Sequence, residues 1–156
     1  MTRQKTLSVI IKPTHNCNLS CKYCYLDSNA EQGQMSEKIL AQSIERVSDY
    51  VDKSFWIWHG GEPLIVGMEF YRVVKDIQDF YHTRGKRFRN SIQTNGTLIT
   101  SETIQFLKES RDFNIGTSLD GPENLKIKLY KTQVIYLNMG LFGIGKKKEV
   151  IDLSEQ

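Results

Sequence analysis

Leu7-Ser-Val-Ile-Ile11 runs through Lys12-Pro-Thr-His-Asn16 into Cys17-Asn-Leu-Ser-Cys21-Lys-Tyr-Cys24. The first stretch is apolar and β-branched, the pattern of a buried strand. The window behind it holds all 3 cysteines of the chain, spaced C-x3-C-x2-C. Three thiolates on a short loop hold three irons of a [4Fe–4S] cube and leave the fourth iron without a protein ligand, whereas ordinary electron-transfer clusters are closed by four cysteines. An open iron is a place for a substrate or cosubstrate, which makes catalysis the leading reading. The competing reading is structural zinc, which prefers four protein ligands and would need His15 or His59 to complete a Cys3His set. His15 lies two residues before Cys17, an awkward spacing, and no second C-x2-C pair is present.

Outward from this loop the periodicity alternates. Ser36 is read as the N-cap of a helix with Leu40, Ile44, Val47 and Val51 on its apolar face. Phe55-Trp-Ile-Trp58 is a second strand, ended by Gly60-Gly61. A second helix places Phe70, Val73, Val74, Ile77 and Phe80 on one side and stops near Gly85. Phe88 to Thr94 forms a third strand, Ser101 caps a third helix with Ile104 and Leu107 inward, and Phe113 to Leu119 forms a fourth strand before Asp120-Gly121-Pro122. Strand–helix–strand, three times over, predicts an α/β fold with parallel strands and right-handed crossovers, either a doubly wound sheet or part of a barrel. In both, the loops after the carboxyl ends of the strands form the active face. The cysteine loop, Gly60-Gly61-Glu62-Pro63, Thr94-Asn95-Gly96 and Ser118 with Asp120 are thereby placed on one rim.

Composition excludes several classes. The 156 residues suffice for one domain, with 39% hydrophobic and 25% charged residues and a net charge of +3. The basic residues are dispersed apart from Lys146-Lys147-Lys148, so no nucleic-acid footprint is expected. The apolar run of Leu7 to Ile11 is too short for a secretory or membrane segment. Three clustered cysteines cannot all pair, which argues against a secreted disulfide scaffold and for the cytoplasm.

Gly60-Gly61-Glu62-Pro63 by itself reads as a turn. Beside a cluster loop, its glycines would admit a close ligand and Glu62 would accept a hydrogen bond from an ammonium group. Together, Cys17-x3-Cys21-x2-Cys24 and this motif resemble the radical S-adenosylmethionine (SAM) superfamily. Cys24-Tyr25, Trp58-His-Gly-Gly-Glu-Pro-Leu64, Ile92-Gln-Thr-Asn-Gly-Thr-Leu98 and Thr117-Ser-Leu-Asp-Gly-Pro122 are similar to the branch of anaerobic sulfatase-maturating enzymes and SPASM-type peptide maturases. The resemblance covers roughly residues 7 to 122.

The resemblance implies a partial (β/α) barrel of radical SAM type, with about four βα units in this chain. Residues 1–122 would be the N-terminal portion of the core domain and 123–156 a divergent tail, truncated or frame-shifted. Cys17, Cys21 and Cys24 would ligate a [4Fe–4S] cluster. S-adenosylmethionine would chelate the open iron and, on reduction, give methionine and a 5′-deoxyadenosyl radical for hydrogen abstraction. Gly60, Gly61 and Glu62 would meet the methionyl amino group, Tyr23 the adenine, and Thr94, Asn95 and Ser118 the ribose or carboxylate. The implied partners are a peptide or protein substrate and a reductant such as flavodoxin or ferredoxin, with no nucleic acid and no membrane.

No catalytic acid or base is identified, and the chain departs from the family after Pro122. Glu123-Asn-Leu-Lys-Ile-Lys-Leu-Tyr130 stands where members often carry His-Asp-x-x-Arg, so no arginine for the cosubstrate carboxylate can be named. No cysteine follows Cys24, so the auxiliary-cluster domain of that branch has no counterpart. A non-catalytic remnant that binds a cluster or a partner, and a small zinc-binding domain, stand as alternatives. His59 stays open between a structural and a catalytic role, His15 and His82 are read as structural or surface residues, and Trp56 and Trp58 as core.

Overall fold

The computed structural model describes residues 6–22, 24–26 and 33–117. Its elements alternate: β1 (Thr6–Ile11), α1 (Glu37–Tyr50), β2 (Lys53–Trp58), a 3-10 turn (Pro63–Val66), α2 (Met68–His82), β3 (Arg87–Thr94), α3 (Ser101–Glu109) and β4 (Phe113–Thr117). The strands form one parallel sheet in the order β1-β2-β3-β4. This is the expected α/β architecture of a partial barrel, four strands wide. The expectation for residues 123–156 lies outside the described residues, as do Ser118 and the turn that includes Asp120.

Alternation along each strand sends Val9, Trp56 and Asn90, and then Ile11, Trp58 and Ile92, to one face, where the register aligns them in rows across the sheet. The helices cover that face. Leu40 and Ile44 of α1, Tyr71 and Val74 of α2 and Phe106 of α3 meet the strand residues in a single core. Trp56 and Trp58 are fully buried and stack on each other, and Tyr71 meets Trp58 edge-on. The opposite face carries Ile10, Phe55, Ile57, Ser91 and Gln93, and there Ile10 is 70% exposed and Phe55 39%. Reading β1 as a buried strand is therefore corrected. β1 is an outer strand of the sheet, and of its six residues only Ile11 is buried.

Helix limits follow local chemistry. Ser36 caps α1 as expected, its hydroxyl accepting from Ile39 N–H. α3 starts one residue earlier than expected: Thr100 is the N-cap, in a reciprocal capping box with Thr103. The buried residues of α3 are Thr103 and Phe106, with Leu107 only partly buried, so the inward stripe is rotated from the expected one. In α2 the expected Phe70, Val73, Val74 and Ile77 all pack on the core, with Met68, Tyr71 and Gln78 buried beside them. Phe80 alone departs: it is exposed and lies under the Arg84 guanidinium at 3.6 Å. Apolarity also left out Thr103 and Gln78, which are buried with hydrogen bonds to neighbours. No helix among the described residues is long and apolar enough to cross a membrane.

Candidate functional site

Three loops leave the carboxyl ends of β1, β2 and β3, and backbone hydrogen bonds stitch the first two together. His59 N–H donates to Ile11 O, extending the β1–β2 ladder by one step. Beyond it Gly61 N–H donates to Thr14 O at 3.2 Å and Glu62 N–H to Asn16 O at 2.7 Å. The cysteine segment thus lies directly against the Gly60-Gly61-Glu62 turn. A Cβ at Gly61 would stand 2.0 Å from Asn16 O, and one at Gly60 2.7 Å from Thr14 O. Gly60 also adopts φ +125°, where side chains are disfavoured. The glycine pair is required by this approach of two backbones.

Thr14 also closes the base of the loop. Its hydroxyl donates to Gly33 O and accepts from Asn16 N–H, and Thr14 bridges Gln34. Met35 N–H adds a bond to Pro13 O. The segment bearing the cysteines therefore leaves and returns at one point on the sheet rim.

Glu62 is fully buried. Its Oε1 accepts from Leu64 N–H at 2.9 Å and Thr94 Oγ1–H at 2.6 Å, and its Oε2 from Asn95 N–H at 2.7 Å. The carboxylate caps the 3-10 turn and ties the end of β2 to the end of β3, a set of charge-assisted bonds that offsets its burial. Glu62 was expected to accept from a ligand's ammonium group; here its oxygens accept from three protein donors. Thr94 is buried, donates to Glu62 and accepts from Gly96 N–H. Below them Tyr71 donates its hydroxyl to Pro63 O at 3.0 Å. Burial, with the Glu62 charge second, pushes this phenol far above its ordinary range and keeps it a donor.

The third loop meets the first through side chains. Asn95 Nδ2 donates to Asn18 Oδ1 at 2.9 Å, and Asn18 Nδ2 donates to Thr97 Oγ1 at 2.8 Å. Thr97 Oγ1 donates back to Asn95 Oδ1 at 2.7 Å, closing a three-residue ring. Asn95 Nδ2 also lies 4.0 Å from Cys17 Sγ. Neither Asn18 nor Thr97 is singled out by sequence pattern. Asn18 is conspicuous only as the residue after the first cysteine, and its partner is 79 positions away.

Cys17, Cys21 and Cys24 are exposed and free, and Cys24 N–H donates to Cys21 O in a turn. Among the described residues no three His, Cys, Asp or Glu side chains lie close enough to hold a metal ion. The loop keeps the three thiols on one anchored segment. Three soft, accessible thiols on a segment fixed at its base fit an iron–sulfur cluster in donor chemistry. Asn16 Oδ1 is buried beside the Gly61 turn without a hydrogen-bond partner, an acceptor suited to an incoming N–H group.

His59 is half-buried and its Nδ1 lies 3.3 Å from the Tyr25 hydroxyl, the two rings stacking. Lys12 Nζ lies over the Tyr25 ring. His15 is exposed, and His82 stacks on Phe88 away from the rim. Tyr23 and Ser118 lie outside the described residues.

A parallel βα sheet with an anchored three-cysteine loop at its carboxyl rim defines a class of cluster-binding partial barrels. Residues 11–138 match the model of the radical SAM superfamily, and the chain belongs to that superfamily. It is 35% identical over 127 residues to the cysteine-type anaerobic sulfatase-maturating enzyme of Clostridium perfringens, covering 76% of this chain and 34% of that protein. The serine-type enzyme of Bacteroides thetaiotaomicron is 34% identical over 139 residues, covering 83% and 33%. Among solved structures, hexahistidine-tagged anSMEcpe with bound AdoMet superposes with a TM-score of 0.71 at 34% identity, covering 78% of this chain and 34% of that one. Native anSMEcpe with bound AdoMet and the Cp18Cys peptide gives 0.69 with similar coverage. The chain spans about a third of the length of these relatives.

Proposed function

We propose that this chain forms the cluster- and S-adenosylmethionine-binding part of a radical SAM maturase that acts on a peptide or protein. The observation that carries the reading is the backbone stitch between Asn16 and Glu62, with no room for a Cβ at Gly61. It holds the cysteine segment against a turn whose backbone can meet a ligand. The sulfatase-maturating relatives and the peptide-bound neighbour support the substrate class.

Cys17, Cys21 and Cys24 would hold a [4Fe–4S] cluster. When bound and reduced, the cluster and S-adenosylmethionine supply reductive carbon–sulfur cleavage to methionine and a 5′-deoxyadenosyl radical. The backbone at Gly60 and Gly61, with Asn16 Oδ1, would receive the ammonium group of the cosubstrate. Glu62 holds that turn rigid against β3 instead of touching the ligand. Tyr23 keeps the adenine role, and Ser118 the ribose or carboxylate role, that the family implies. Free cysteines and a reducible cluster fit a reducing compartment, the cytoplasm, and a low-potential donor such as flavodoxin or ferredoxin.

Anaerobic reconstitution with iron and sulfide, followed by dithionite and S-adenosylmethionine, tests the reading. Iron uptake that is lost in Cys21→Ala, with 5′-deoxyadenosine formed, is the expected result. Cluster uptake without cleavage would favour a binding remnant, and stoichiometric zinc with no iron uptake would overturn the reading.

A further inference from the structure

We propose that Asn95 is a positioning residue for Cys17: its amide donates a hydrogen bond to the Cys17 sulfur and raises the reduction potential of the bound cluster. The inference rests on the cluster reading above and adds to it a residue that touches a ligand atom from another strand.

The orientation of the Asn95 amide is fixed by its partners. Oδ1 accepts from Thr97 N–H at 2.9 Å, a group that can only donate, so the oxygen and nitrogen of the amide cannot be exchanged. Oδ1 also accepts from Thr97 Oγ1–H. Nδ2 is thereby turned toward the cysteine segment. One of its two protons is taken by Asn18 Oδ1 at 2.9 Å, which leaves the other for Cys17 Sγ at 4.0 Å. The amide cannot drift, because Asn18 is locked in the same ring through its own bond to Thr97. The main chain of Asn95 is held as well, by Glu62 Oε2. A fixed N–H beside a ligand sulfur stabilises the more negative, reduced cluster, since sulfur charge rises on reduction. A metal-bound thiolate would be a stronger acceptor for this N–H than the free thiol.

The test uses the reconstituted full chain, titrated anaerobically with the reduced cluster followed by electron paramagnetic resonance. Asn95→Ala lowers the midpoint. At the wild-type midpoint its reduced-to-oxidised ratio falls about two- to tenfold, the net worth of one hydrogen bond. Pulsed resonance on protein carrying side-chain-amide 15N-asparagine, with Asn16→Asp and Asn18→Asp as references for the neighbouring labels, shows an Asn95 nitrogen coupling to the cluster that Asn95→Asp abolishes. This second variant retains the Oδ1 acceptor and covers the case in which the alanine variant does not fold. A wild-type cluster whose midpoint is unmoved by Asn95→Ala, or whose nitrogen coupling survives Asn95→Asp, overturns the Asn95 assignment alone. A wild-type chain that takes up no iron overturns the cluster reading with it.

Discussion

Gly61 and Gly67 separate two reasons for glycine. Gly67 adopts φ +81°, and a Cβ there would meet nothing within 4 Å. Its replacement by alanine costs only the strain of that backbone, with ψ 164°, about 1–3 kcal/mol. Gly61 has no such backbone requirement, but its Cβ would overlap Asn16 O at 2.0 Å and crowd His15 O at 2.6 Å. Backbone atoms cannot swing aside as a long side chain does. Gly61→Ala therefore forces the cysteine segment off the β2 turn and destabilises the fold by about 3 kcal/mol. Urea denaturation of both variants checks this, together with iron uptake, which falls for Gly61→Ala and holds for Gly67→Ala. Equal costs and equal iron would show that the close approach does not matter. The sequence signalled the glycine pair and the cysteines directly, since both are residue types with few other uses at such spacing. It did not signal that Glu62 points inward. A carboxylate beside two glycines reads as a ligand contact until Leu64, Thr94 and Asn95 are seen to enclose it.

At the scale of elements, strand positions were legible because β-branched and aromatic runs ended at Gly-Gly, Asn-Gly and similar turns. Helix faces were legible in most of their apolar residues but not in Gln78 and Thr103, the polar residues buried beside them. The pairing of α2 with β3 shows why. Asn90 Oδ1 accepts from Trp58 Nε1 at 3.0 Å and Gln78 Nε2 at 3.1 Å, and Asn90 Nδ2 donates to Gln78 Oε1 at 2.8 Å. All three residues are buried, Asn90 fully. An amide pair of this kind satisfies every member through the others, so it specifies how α2 sits on the sheet. Asn90→Ala strands the Trp58 indole N–H and the Gln78 amide without partners. With one buried group costing about 1–3 kcal/mol, the loss comes to about 4 kcal/mol. Gln78→Leu in the same chain removes one of those stranded groups. The double variant is then expected to lose about 1–2 kcal/mol less than the sum of the single ones. Strict additivity in a double-mutant cycle would dissolve the network. No periodicity reports such a pair, since its members are 12 residues apart on different elements.

For the whole molecule, the rim and the sheet are one cooperative object. The cysteine segment is held by Gly61 and Glu62 from β2, and by Asn95 and Thr97 beyond β3. Among its described residues it has no hydrophobic core of its own; Leu19 is exposed and the thiols are free. A cluster bound only by the folded loop adds its binding free energy to the fold by mass action, about 2.7 kcal/mol at a hundredfold excess over the dissociation constant. Anaerobic calorimetry on the reconstituted chain should show the melting midpoint raised by about 5 °C or more, a gain absent in Cys21→Ala. Hydrogen exchange then tells where the gain is felt. The amides of Gly61, Glu62, Asn95 and Thr97 slow on loading, because each bonds the cysteine segment or a residue that does. Those of Phe113 and Ser110, on the far side of α3, respond only through global unfolding. If loading leaves the midpoint unchanged, or slows rim and distant amides alike without raising it, the loop is an appendage and its bonds to β2 and β3 do not couple it to the sheet.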